Sequence, residues 1–431
     1  MTYSETVQFL YGLQQHGIKL GLDTIRTLLG RVGDPHRRYP IVHIGGTNGK
    51  GSTSAMVAAI AQAAGHRVGL YTSPHLIDFR ERIRVNGEMI SEARVMALIE
   101  QLQAAAAPDL APTFFELTTA LACLYFAEAG IDLAVLEVGL GGRFDATNVV
   151  TPTVTAITTI GLDHEQYLGS TVEAIAFEKA GIIKQGIPLV LGRVGEAAGR
   201  VIEARALAVE APLFRLEREF RTEGATPADF VYEGPIGRHE HLTCVLDGRY
   251  QMDNAACAIT LCAMARQAGI LMPDSAIRAG LRAVAWEGRL EIAALHPEIL
   301  LDGAHNPAAA EALADYLAAR RARRPDGRIC LVMGMMRDKQ PQGFFQPLRP
   351  FIDELILTQA DLPRALPGAD LRTALRDLAP SAHVTATPAD ALALARRLVD
   401  PDDLICVTGS LMLVGEVKAL LRGCRLSPVR G

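Results

Sequence analysis

The chain has 431 residues, of which 49% are apolar, 5% aromatic and 21% charged. This length exceeds one ordinary core and predicts two domains of soluble α/β type, and the composition excludes a disordered chain. The net charge of −5 supplies no broad positive field to gather phosphates, so a nucleic-acid partner is not expected.

The opening MTYSETVQFLYGLQQHG has no basic region followed by an apolar run, so it does not read as a secretory signal. No run of about eighteen uninterrupted apolar residues occurs, so no membrane-spanning segment is expected. Seven cysteines lie at 123, 244, 257, 262, 330, 406 and 424, without CxxC pairing. Such a set predicts reduced thiols and a cytoplasmic location, not disulfides or structural zinc.

Short aliphatic runs alternate with longer amphipathic ones, the pattern of βαβ units and a parallel sheet. Strands are predicted at 41–45, 68–72, 133–138 and 154–160, each ending in a polar or glycine-containing loop. Helices are predicted at 52–64, stopped by Gly65, and at 117–129, stopped by Gly130. From about 213 to 250 the segments become short and alternating, which predicts a small antiparallel appendage. A helix follows at about 253–268. A second α/β series begins near 286–291, with strands at 299–302, 329–334, 354–358 and 404–408. The boundary between a larger domain, 1–289, and a smaller Rossmann-like domain, 290–431, is placed there.

The segment 41–53 runs strand, glycine loop, helix start. Its residues Thr47, Asn48, Gly49, Lys50, Gly51 and Ser52 predict a phosphate site, because glycines let backbone N–H groups turn to an anion at a helix N-terminus. Lys50 is placed to reach the β- and γ-phosphates of ATP, and Ser52 or Thr53 to offer a hydroxyl to Mg²⁺. The spacing departs from G-x-x-x-x-G-K-[ST], since Gly51 intervenes before Ser52.

In open parallel sheets, ligands gather beyond the carboxyl ends of the strands. Ser73, Glu137 and His164 sit at three such ends. Ser73 and Glu137 are natural oxygen ligands for Mg²⁺, whereas a histidine is an unusual one. Lys179, by its local pattern alone, reads as a solvated helix lysine.

At this point the ordered motifs resemble those of the folylpolyglutamate synthases, relatives of the Mur peptide ligases. The matches are Gly46-Thr-Asn-Gly-Lys-Gly-Ser52, Thr72-Ser-Pro-His-Leu76, Thr113-Phe-Phe-Glu116, Glu137-Val-Gly-Leu-Gly-Gly142 with Arg143-Phe-Asp-Ala-Thr-Asn148, and Gly161-Leu-Asp-His164. They continue through Glu178-Lys-Ala-Gly181, Asn254-Ala-Ala256, Gly288-Arg-Leu-Glu291, Asp302-Gly-Ala-His-Asn-Pro307 and Thr408-Gly-Ser-Leu411.

The resemblance implies an ATP- and Mg²⁺-dependent ligase that joins L-glutamate to dihydropteroate and further glutamates to reduced folates. It implies Mg²⁺ binding by Ser73, Glu137 and His164, and carbamylation of Lys179. It also implies nucleotide contacts from Asn254, Arg289 and Asp302, with His305 near the phosphates. The pterin site is implied at Thr113, Phe114, Phe115 and Glu116 and at Phe144, Asp145 and Ala146, with Phe115 as core the alternative. A monomer is expected. A Mur-type peptidoglycan ligase is the nearest rival, but such enzymes usually carry an additional N-terminal domain, and the roughly forty-five residues before the loop are too few for it. Glu287, where a proline is common, and Met412, where a tyrosine is common, depart from the pattern.

Overall fold

The computed structural model describes residues 1–13 and 21–427. The chain forms two compact units. The first comprises Met1–His75, Phe79–Val245 and Gln251–Ala285, and the second Leu76–Asp78, Leu246–Tyr250 and Trp286–Gly431.

The first unit is built on an eight-stranded sheet. In chain order its strands are β1 (Ile41–Gly45), β2 (Val68–Tyr71), β3 (Ile83–Val85), β4 (Glu88–Met89), β5 (Leu133–Glu137), β6 (Val154–Ile157), β7 (Leu189–Leu191) and β8 (Leu213–Arg215). Their spatial order is β4-β3-β2-β5-β1-β6-β7-β8. All neighbours run parallel except β3 against β2 and β4 against β3. Both faces of β1 and β5 are buried along their whole length, which is why these strands are apolar except for His43 and Glu137.

Two strand segments depart from the sequence-based reading by more than one residue. The strand expected at 154–160 stops at Ile157, because the hydroxyls of Thr158 and Thr159 turn to hold the phosphate loop. The segment 213–215, expected in the appendage, instead extends the large sheet as β8, parallel to β7. The appendage itself is the antiparallel sheet β9 (Arg221–Thr226), β10 (Asp229–Gly234) and β11 (Gly237–Leu242). Arg221 and Arg238 alternate there with Glu223, Glu233 and Glu240 in a ladder of exposed ion pairs.

The helix Lys50–Ala63 leaves the β1 loop carrying small and aliphatic residues, and all of Gly51–Ala58 is buried. The helix Phe114–Ala129 begins three residues before its predicted start, since Thr113 and Glu116 form a reciprocal capping box. Its Phe126 is wholly buried beneath Gly69 of β2, where any larger residue would strike the ring. That burial stabilises by about 2–3 kcal/mol and sets the depth at which the helix N-terminus meets the sheet.

The second unit has a six-stranded sheet ordered β12-β13-β17-β14-β15-β16. The strands are β12 (Glu291–Ala294), β13 (Glu298–Leu301), β14 (Ile329–Met333), β15 (Glu354–Leu357), β16 (His383–Val384) and β17 (Leu404–Thr408), parallel except for β12. Helices cover both faces over apolar clusters that include Leu313, Leu331 and Phe344 on one side and Val332, Val407 and Val417 on the other. This alternation makes the unit Rossmann-like.

Candidate active site

The carboxyl ends of β1, β2, β5 and β6 lie along one edge of the parallel sheet, and the loops there carry most of the expected site. The loop after β1 is tied to the end of β6. Thr47 N–H donates to Thr159 O at 2.8 Å, Asn48 N–H to Thr159 Oγ1 at 2.9 Å, and Thr158 Oγ1 to Asn48 O at 2.6 Å. Gly49, at φ +86°, opens the helix Lys50–Ala63 with no side-chain cap, so the first-turn N–H groups are available to an anion. A side chain at Gly49 would strike the amide oxygen of Asn254, which places Asn254 directly against the loop. Gln251, a residue the motifs do not single out, accepts from Asn254 Nδ2 through its amide oxygen at 2.8 Å and donates through Nε2 to Ser52 Oγ at 3.4 Å. Ser52 stands in the first turn of the helix, whereas Thr53 is wholly buried with its hydroxyl unpartnered among the described residues. Of the two hydroxyls left open by the sequence, Ser52 has the suitable place.

Two lysines converge on one carbonyl. Lys50 Nζ donates to Gly46 O and Thr47 O, each at 3.0 Å, and Lys179 Nζ donates to the same Gly46 O at 2.9 Å. Lys179 is buried, not solvated. Burial first, and the Lys50 charge second, bring its amine down to about 7, against the opposing pull of Asp163 and Asp145.

Glu137 ends β5, nearly fully buried, and its Oε2 accepts the Ser73 N–H at 3.0 Å. His164 follows β6 in a left-handed conformation, φ 51°, with Asp163 beside it. The set offers one hydroxyl, one carboxylate and one imidazole. Among the described residues no group of three or more His, Cys, Asp or Glu side chains is placed to hold a metal. This sparse donor set fits Mg²⁺, which keeps several positions for phosphate oxygens and water.

The residues expected at the pterin are divided. Asp145 Oδ2 accepts from Gly139 and Leu140 N–H at 3.0 and 2.9 Å, and Oδ1 accepts from Thr147 N–H at 3.0 Å and its hydroxyl at 2.5 Å. These four donors use the acceptor capacity of an ionised carboxylate. Burial pushes the Asp145 carboxyl up, and the donors oppose that rise. Phe115 packs edge-on to Gly139 and stands 6.0 Å from the Tyr71 ring, while Phe114 is buried and stacked 4.8 Å from Tyr11. Thr113 and Glu116 spend their side chains on the capping box, and Ala146 is buried. Phe144 is exposed beneath the Arg143 guanidinium, 4.4 Å away, and Arg143 is held by Glu178 at 2.7 Å.

In the second unit, Asp302 is buried after β13, and its two oxygens accept Leu290 and Ala304 N–H, each at 2.9 Å. Burial pushes its carboxyl up, with Arg289 opposing. Arg289 Nη1 donates to Gly288 O at 2.9 Å. His305 Nδ1 lies 2.8 Å from Gly303 O, and because a carbonyl only accepts, this nitrogen carries the proton.

The departure at Glu287 has a structural account. Lys418, 1% exposed in the helix Leu411–Arg422, donates to Glu291 at 2.5 and 2.6 Å and to Glu287 at 3.0 Å, and Arg422 holds the other Glu287 oxygen at 2.7 Å. Glu291 also accepts Gly288 N–H at 2.8 Å, so the cluster clasps the segment that bears Arg289. A lysine, with Glu416, inside the otherwise apolar run 411–421 was the signal that could have revealed it. Lys418→Met removes the buried cation shared by Glu291 and Glu287 and is expected to lower stability by about 2 kcal/mol. Urea unfolding measures this, and an unchanged midpoint would remove the clasp. Met412 fills a small apolar cluster with Met336, Ala360 and Ala365, a place that needs no hydroxyl.

Comparison with known proteins identifies the family. The Mur ligase middle domain matches residues 44–262, and the Mur ligase, glutamate ligase domain matches residues 288–411. The dihydrofolate synthase/folylpolyglutamate synthase of Bacillus subtilis is 37% identical, over 97% of this chain and 99% of the relative. The Escherichia coli protein of the same description is 32% identical, over 96% and 94%. E. coli FolC in complex with DHPP and ADP superposes with a TM-score of 0.90 at 32% identity, covering 98% of both chains. The Yersinia pestis bifunctional enzyme complexed with AMPPNP and Mn ion gives 0.87 at 33% identity, again covering 98% of both. With both Mur ligase domains matched in order and relatives aligned along nearly its whole length, the chain belongs to the Mur ligase family and is an ATP-dependent ligase of the dihydrofolate synthase/folylpolyglutamate synthase type.

Proposed function

We propose that the chain joins L-glutamate to dihydropteroate and adds further glutamates to the γ-carboxyl of reduced folates. The observation that carries this reading is the meeting of Lys50 and Lys179 at Gly46 O, beside an uncapped helix and the Ser73–Glu137 pair. A carboxylate is a poor electrophile, so it first attacks the γ-phosphorus of ATP, and ADP departs. The amine of glutamate then attacks the acyl phosphate, loses a proton, and phosphate leaves from the tetrahedral intermediate. Lys50 and the loop N–H groups neutralise charge on the transferring phosphoryl group. Thr47, Asn48, Gly49, Gly51 and Ser52 cradle the nucleotide, with Asn254, Arg289 and Asp302 assigned to it and His305 to its phosphates, on the match of their motifs. Mg²⁺ held by Ser73, Glu137 and His164 supplies further charge neutralisation when bound.

Lys179 serves as a carbamate: its neutral amine attacks CO₂, an N–C bond forms and a proton leaves. The carbamate would offer anionic oxygen acceptors to a bound Mg²⁺ site. The acid substrate is assigned to Phe115, Phe144 and the main chain around Thr113–Glu116 and Asp145–Ala146. Residues 1–289 constitute the ATP-binding domain and 290–431 the ligase domain. The enzyme works as a monomer in the cytoplasm, a location supported by seven cysteines that are all free and, except for Cys424, buried. No helix among the described residues is long and apolar enough to cross a membrane.

The experiment is ADP release with dihydropteroate plus L-glutamate, and separately with tetrahydrofolate plus L-glutamate. Activity with both is expected. Activity with tetrahydrofolate alone would leave a monofunctional folylpolyglutamate synthase.

A further inference from the structure

His43 lies within β1, paired in register with Leu136 of β5 and Thr155 of β6, and is wholly buried. Burial, with Lys184 adding to it, brings the ring down to about 3, so the imidazole is neutral. Its Nε2 stands 2.8 Å from Thr147 Oγ1, and its Nδ1 has no partner among the described residues. Thr147 in turn meets Asp145 Oδ1 through both N–H and hydroxyl, while Asp145 Oδ2 holds the N–H groups of Gly139 and Leu140.

Proton counting gives this chain a direction. A hydroxyl has one proton, and an ionised carboxylate has only acceptors. Thr147 therefore gives its proton to Asp145 and accepts from the histidine, and neutral His43 carries its proton on Nε2. With its acceptor side occupied, the Thr147 hydroxyl cannot swing away from Asp145. The last link is the Gly139–Leu140 turn, which starts two residues after Glu137 and bears the face against which Phe115 packs.

We propose that His43 is a positioning residue for the acid substrate: acting through Thr147 and Asp145, it holds the Gly139–Leu140 turn in the shape that receives the pteridine-bearing acid. This rests on the substrate reading given above. Remove the donor and the Thr147 hydroxyl can rotate to another acceptor. Asp145 then loses one of four donors in a low-dielectric setting, and the turn loosens.

The test compares His43→Leu, which removes the donor, with His43→Gln, whose amide N–H can restore it, and Thr147→Val, which cuts the next link. His43→Leu is expected to raise KM for the acid about three- to tenfold, the range of one lost hydrogen bond, while KM for ATP stays unchanged. His43→Gln recovers most of that loss. Adding His43→Leu to Thr147→Val has no further effect, because both act on one chain of bonds. Should the wild-type chain ignore dihydropteroate, the substrate reading fails by itself, and the same comparison is made with tetrahydrofolate as acid. Nitrogen-15 NMR of the folded wild-type chain is expected to show the Nε2–H tautomer of His43, whichever acid is used. An Nδ1–H tautomer, an unchanged acid KM in His43→Leu, or equal changes in the ATP and acid KM would overturn the proposal. If His43→Leu does not fold, Thr147→Val carries the KM comparison.

Discussion

Lys50→Ala is expected to lower the rate of ADP formation by about 10³-fold or more while the chain stays folded. The ammonium is part of the loop's own architecture, bonded to Gly46 O and Thr47 O at 3.0 Å, so it is already placed before a phosphate arrives. That preorganisation is what makes the charge effective, since little reorganisation is needed when the phosphoryl group transfers. The fold does not depend on it, because the loop is separately anchored to β6 through Thr47, Asn48, Thr158 and Thr159. Single-turnover ADP formation, with circular dichroism as the control for folding, measures the effect. Turnover within about tenfold of wild type would sink the assignment of this loop to the transferring phosphate.

The second large effect concerns Lys179. Lys179→Met is expected to cost about 100-fold in turnover, the upper range for a group that orients a metal's own ligands. The amine is brought down to about 7 by burial and then by Lys50, so near neutral pH a large share is uncharged and able to attack CO₂. Activity in CO₂-depleted buffer should therefore fall as pH drops below about 7, and added bicarbonate should restore it. Labelled bicarbonate should give a carbamate carbon signal in the wild-type chain that is absent from Lys179→Met. Full activity without CO₂, together with no carbamate signal, would rule the modification out. The sign for stability follows from the same shift. Between about 7 and the ordinary lysine value of 10.5, the unfolded chain holds a proton that the folded chain has lost. The contribution of this group to stability therefore rises with pH across that window.

Much of this was legible in the chain. The strands β1, β5 and β17 are mostly aliphatic, broken by polar residues only at His43 in β1 and at Glu137 and Thr408, the ends of β5 and β17, and burial on both faces is the physical reason such runs occur. The phosphate loop was legible because glycine, lysine and hydroxyl residues at a strand-to-helix junction have few other uses. Other features were not. The residues 158–160 have strand-like composition, but Thr158 and Thr159 bond to a loop more than a hundred residues away in sequence. Phe114 and Phe115 are adjacent and alike in sequence, yet one stacks on Tyr11 in the core and the other lies beside Gly139. Asp145 reads as an acceptor for a ligand until its four backbone and hydroxyl donors are placed around it.

The sequence by itself determined the α/β alternation, the Lys50 loop and the oxygen donors Ser73 and Glu137 at strand ends, because these depend on residues near one another in the chain. Only the tertiary structure decided the chemistry of Lys179, His43, Asp145 and Lys418. Their charge states and partners are set by desolvation and by groups from distant strands, and local pattern carries no record of either.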